Sequence, residues 1–157
     1  MMRTTRRYAA ETEVSPEKSR AEIESTLTRY GATRFMYGWQ DNAAVIGFEV
    51  HGRRVRFVLP LPQASEFKQQ PGRGRKRTPD KAVEQATRQR WRALALAVKA
   101  KLETVEAGIA TFEDEFMAYI VLPSGETVGQ WMAPQIEQAY QSGQMPPLLL
   151  MGPKDDS

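Results

Sequence analysis

Residues 34–59 read RFMYGWQDNAAVIGFEVHGRRVRFVL, and their alternation decides the fold. Phe35, Tyr37 and Trp39 share one side of a first run. Ala44, Ile46, Phe48 and Val50 share one side of a second, and Val55, Phe57 and Leu59 one side of a third. A period of two is the signature of a strand with one buried face. His51-Gly52 makes a two-residue hairpin turn, with Gly52 free to take positive φ. That turn places Val50 opposite Arg53, Glu49 opposite Arg54, Phe48 opposite Val55 and Ile46 opposite Phe57. With Asp41-Asn42 as the first turn, Tyr37 faces Ile46 and Phe35 faces Phe48. Two independent turns therefore give one apolar face, which predicts a three-stranded antiparallel meander. Tyr37, Trp39 and Phe57 then belong to the core rather than to a base-stacking platform. The opposite face carries Arg34, Met36, Glu49, Arg54 and Arg56. Pro60 and Pro62 end the sheet.

Helical signals flank the meander. Ser15-Pro16 is a start signal, a capping hydroxyl followed by a proline in the first turn. Ile23, Leu27 and Tyr30 form a narrow stripe, and Gly31 closes the helix. After the sheet, residues 79–107 form the longest helix, closed by Gly108. Its stripe is Trp91, Ala95, Val98, Leu102 and Val105. Trp91, Leu94, Val98 and Leu102 are expected against Phe35, Phe48 and Phe57. Lys81, Arg88, Arg92 and Lys99 lie on an adjacent stripe, with Arg90 and Lys101 on the other flank.

The reading outside this core is coarser. Residues 1–14 are a flexible basic arm with Arg3, Arg6 and Arg7 and no apolar stretch, so no secretory leader is expected. Residues 15–107 form an α+β core domain of order α-β-β-β-α, with a basic loop at 63–79. Residues 108–157 form a small helical C-terminal unit. Thr111 caps a short acidic helix, Ile120 to Leu122 make a short strand, and Thr127 caps a helix running to Ser142 before Gly143. That last helix has an apolar face of Val128, Trp131, Met132, Ile136, Ala139 and Tyr140, with Pro134 as a potential kink. A tail rich in Pro and Leu follows and is expected to dock on the body or on a partner.

Composition excludes several functions. The 157 residues contain no cysteine and one histidine, His51, which removes disulfides, thiolate metal sites and the usual catalytic triads. No run of about 18 apolar residues exists, so no membrane span is expected, and the location is read as cytoplasmic. The acids Glu113, Asp114 and Glu115 diverge by about 100° per residue on a helix, unlike carboxylates converging on metal ions. Residues 72–78 are rich in glycine and basic residues but lack the spacing of a phosphate loop. No cofactor or metal is expected, and no catalysis.

Charge is the strongest functional signal. The net charge is +3 from 22 basic and 19 acidic residues. Residues 1–101 hold a balance of +11, and residues 102–157 one of −8. Residues 68–101 alone contain 11 basic and two acidic residues, a local +9. Lys68, Arg73, Arg75, Lys76, Arg77 and Lys81 crowd the loop and the helix entry, where arginine forks and a helix N-terminus suit phosphate oxygens. Arg88, Arg92 and Lys99 continue the charge along the helix, and Arg54 and Arg56 add to it from the sheet. This set predicts phosphate-led binding of DNA or RNA with little sequence specificity.

Two resemblances bear on this. The helix–strand–strand–strand–helix order of residues 16–107 resembles a double-stranded-RNA-binding domain in topology. That family's Lys-Lys-x-Ala-Lys helix entry is approximated by Arg75-Lys-Arg-Thr-Pro-Asp-Lys81, and the loop and final helix are longer here. Such likeness implies a fold and not an activity. The stretches Arg29-Tyr-Gly-Ala-Thr-Arg-Phe35 and Trp91-Arg-Ala-Leu-Ala-Leu96 resemble small phage and prophage proteins. That implies a phage accessory role, in DNA metabolism or against a host defence, and the host cytoplasm as the location. The rival expectation is a protein inhibitor of a host defence complex, similar to an anti-CRISPR protein, acting through the acidic and apolar C-terminal unit. A nuclease comes third.

Overall fold

A computed structural model describes residues 12–67 and 79–145. The element order is α1 (Pro16–Arg29), β1 (Thr33–Gln40), β2 (Ala43–Val50), β3 (Arg53–Pro60), α2 (Pro79–Glu106), α3 (Phe112–Phe116) and α4 (Val128–Ser142). Short 3-10 turns lie at Ala64–Phe67 and Met117–Tyr119. The protein is α+β, with a β1-β2-β3 antiparallel sheet flanked by helices.

Local chemistry sets the element ends. The Ser15 hydroxyl accepts from the Lys18 amide, and Pro16 occupies the first turn of α1. His51 and Gly52 take φ of +51° and +72°, the twist that a two-residue hairpin turn requires. The β2–β3 register is the expected one throughout, from Val50↔Arg53 to Ala43↔Pro60. Tyr37 pairs with Ile46 as expected. The pairing of Phe35 with Phe48 is replaced by a bulge. Register jumps from Met36↔Gly47 to Thr33↔Glu49, and Arg34 stands at φ +57°. The extra residue bends the start of β1 yet keeps the Phe35 ring 5.9 Å from that of Phe48.

The inner face of the sheet carries the core. Ala44, Ile46, Phe48, Val50, Val55 and Phe57 are buried against Ile23 and Leu27 of α1 and Trp91, Ala95, Val98 and Leu102 of α2. Leu94 and Val105 are half-buried at its margin. Phe112 and Phe116 of α3 enter the same core, with the Phe116 ring edge-on to Phe48 and Phe57. Trp39, expected inside, is 72% exposed. It sits opposite Ala44 near the end of an edge strand.

The chain after α3 returns to the sheet. The Val121 amide donates to the Arg54 carbonyl, and Ile120 bridges Val55, so this short extended segment lies along the outer edge of β3. Val121 then bridges Thr127, whose side chain forms a capping box with Gln130 at the start of α4. Pro134 lies inside α4 without dividing it. Gly143, at φ +70°, ends it. No helix among the described residues is long and apolar enough to cross a membrane.

Candidate nucleic-acid interface

The expected basic residues that the structure describes do not form one surface. Lys68, Arg73, Arg75, Lys76 and Arg77 lie outside the described residues. Lys81, Arg88, Arg92 and Lys99 follow the length of α2, on the helical side of the sheet. Arg54 and Arg56 project from the outer face, because they alternate with the buried Val55 and Phe57.

Several of these cations already have protein partners. Arg88 donates from Nε and Nη2 to Gln85 Oε1, one turn earlier in the helix, at 3.2 and 2.7 Å. Arg92 donates to the Glu22 carboxylate and ties α2 to α1. Arg56 donates from Nη2 to the Gly125 carbonyl at 2.9 Å and to Gln130 Oε1 at 3.1 Å, which holds the α4 entry against β3. Arg54 is 3.8 Å from Glu49, and its side chain stays 73% exposed. Lys99 is exposed. On the other flank of α2, Arg90 bonds Glu66 and the Pro60 carbonyl, and Lys101 bonds the Glu115 carbonyl. The Glu115 carboxylate is 3.6 Å from Lys101.

The acids of α3 diverge. Asp114 closes a capping box with Thr111, Glu115 pairs with Lys101, and Glu113 is exposed. Among the described residues, no group of three or more His, Asp or Glu side chains is placed to hold a metal ion. His51 is exposed in its turn, with its ring edge-on to Tyr30 and Phe112.

No family model, no curated protein and no solved structure matches the chain.

On the outer sheet face the Arg34 and Arg54 side chains are 77% and 73% exposed. Its rows are Gly38–Val45–Val58, Met36–Gly47–Arg56 and, past the bulge, Arg34 with Glu49 and Arg54. Arg34 Nε is 3.4 Å from Glu49, so one carboxylate stands between two guanidiniums. A depression of about 490 Å³ lies over these rows, bounded toward β3 by Val121. Arg34 was placed on this face from the sequence but not counted among the binding residues, because its pairing with Glu49 runs across the sheet, past the bulge. Tyr37 belongs to the other face. Its hydroxyl donates to the Arg20 carbonyl at 3.3 Å, and the Arg20 guanidinium lies 5.0 Å from its ring centre. Burial, aided by the nearby Glu24 carboxylate, pushes the Tyr37 hydroxyl up to about 12.

A second surface is apolar. No residue of α4 is buried, and Trp131, Ile136 and Tyr140 are 39%, 49% and 88% exposed. The helix carries one charge, Glu137.

Proposed function

We propose that the protein binds nucleic acid without catalysing a reaction on it, through phosphate contacts of low sequence specificity. The observation that carries this reading is the +9 charge of residues 68–101, 11 basic residues against two acidic ones. Gly72 and Gly74 stand among these basic residues, and glycine allows a chain to approach a phosphate backbone closely. Lys81 and Lys99, exposed on α2, and Arg54, exposed on the sheet, supply further contacts. A phage accessory role in the host cytoplasm is part of the same proposal.

The test is salt titration of binding, with the Arg75→Glu/Arg77→Glu variant beside the parent protein. Each neutralised phosphate contributes a slope near −0.9 for duplex DNA in log affinity against log salt. The parent should show a steep slope, and the variant should lose most of its affinity at an unchanged melting temperature. Binding indifferent to salt, or a variant that binds like the parent, overturns the reading.

The rival is a protein-binding module of the anti-defence kind. The uncovered apolar side chains of α4 favour it, because exposed aromatic and aliphatic clusters mark interaction surfaces. Co-purification after nuclease treatment separates the two readings. A protein partner lost on Trp131→Ala and retained in Arg75→Glu/Arg77→Glu would put the rival first.

A further inference from the structure

Gly38 and Gly47 stand in strands that gain nothing from them. A glycine inside a strand weakens it and has no side chain to pack, so it needs a reason. Backbone conformation is not the reason, since neither residue has positive φ. Crowding is not the reason either. A Cβ on Gly38 would meet nothing within 4 Å, and one on Gly47 only the Val55 carbonyl at an ordinary 3.7 Å. Both positions face outward, because Gly47 alternates with the buried Ile46 and Phe48, and Gly38 pairs with Val45 next to it. They lie in adjacent rows on the floor of the depression on the outer sheet face. Gly47 borders the bulge through its pairing with Met36, but Gly38 lies clear of it, and the explanation left for Gly38 is that something approaches this floor closely.

Charge says what kind of occupant fits. Arg34 and Arg54 hold the Glu49 carboxylate between them, and Arg56 bonds only neutral oxygens. Three cations against one anion leave a positive rim beside an apolar floor built with Met36 and Val45. We propose that the outer face of the sheet is a binding site for single-stranded nucleic acid. Unpaired bases lie over Gly38 and Gly47, and phosphates meet Arg34 and Arg54. Duplex does not fit this arrangement, because its base faces are already stacked on one another. Glu49 acts as an internal competitor for the two arginines. This inference rests on the nucleic-acid reading and names its substrate form.

The test is fluorescence anisotropy with a labelled, unstructured single-stranded oligonucleotide and a labelled duplex. Gly38→Val/Gly47→Val fills the floor with residues that strands favour. Its melting temperature should match or exceed the parent's. Its single-strand affinity should fall by about tenfold or more, about 1.4 kcal/mol, with duplex affinity unchanged. Glu49→Gln releases the arginines and should tighten single-strand binding. It keeps the test open should the double variant fold poorly. Single-strand affinity unmoved by either variant overturns the inference and leaves the nucleic-acid reading standing. Equal losses for both nucleic acids in a well-folded double variant also overturn the inference alone. A parent protein that binds neither nucleic acid overturns both.

Discussion

Helices α2 and α4 are both amphipathic, and the protein uses them in opposite ways. The stripe of α2 is buried, with Trp91, Ala95, Val98 and Leu102 at 4% exposure or less. The stripe of α4 has no buried member. The difference lies in what each face meets. A three-stranded sheet is about 10 Å across between its outer strand axes, and a helix with its side chains is about 10 Å wide. Helices α1 and α2 side by side already cover the inner face, and α3 closes its end with Phe112 and Phe116. Helix α4 buries none of its residues against that face. It is attached chiefly at its beginning, through the Val121–Thr127 bridge, the Arg56 bonds and the close contact of Gly129 with Ala118. An amphipathic pattern therefore reports that a helix has an apolar face. It does not report that the face finds a partner in the same chain.

The largest expected effect separates the two helices directly. Leu102→Ala leaves a void between α2 and the sheet and should cost about 2–5 kcal/mol in denaturant unfolding. Ile136→Ala removes a similar side chain from α4 and should change stability by less than about 0.5 kcal/mol. Equal costs would mean that the two helices are docked alike, and the comparison would fail.

A smaller effect is expected where α4 joins the body. A Cβ on Gly129 would stand 2.9 Å from the Ala118 carbonyl oxygen. Gly129→Ala should therefore cost about 1–3 kcal/mol through that clash, against about 1 kcal/mol gained in helix propensity. Hydrogen exchange should show weaker protection in residues 128–142 and unchanged protection in α2. Stronger protection of α4 would show that the crossing is looser than its geometry implies.

The smallest effect sharpens the account of the helical layer. Tyr37 packs against Arg20 of α1, and its hydroxyl sits near 12 instead of 10. The folded protein resists its ionisation more than the unfolded chain does. That contribution to stability is complete below pH 10 and is lost as the pH rises from 10 toward 12. Thermal melts over this range should show a decline that Tyr37→Phe reduces. A decline of equal size in the variant would place the alkaline sensitivity elsewhere.

Legibility of the fold followed the range of the interactions. The hairpin at His51-Gly52, the register of β2 with β3, the α2 stripe and the caps at Ser15, Thr111 and Thr127 were all readable. Each depends on residues a few positions apart or on a two-residue turn that dictates pairing. The bulge at Arg34 was not readable, because alternation continues through it unchanged. The candidate basic surface was legible as charge and illegible as geometry. Nothing near Arg92 or Arg56 in the chain names Glu22 or Gly125 as a partner, yet those partners decide which guanidiniums remain available.

Period, turn chemistry and capping are local, so a meander between helices and the polarity of the chain's two halves could be read from the residues alone. That Phe112 and Phe116 complete the core while Trp39 and α4 contribute no buried side chain to it is a product of the packing. Burial is shared out over one limited apolar face. Which side chains obtain it depends on the docking of every layer at once, and no local pattern records that order.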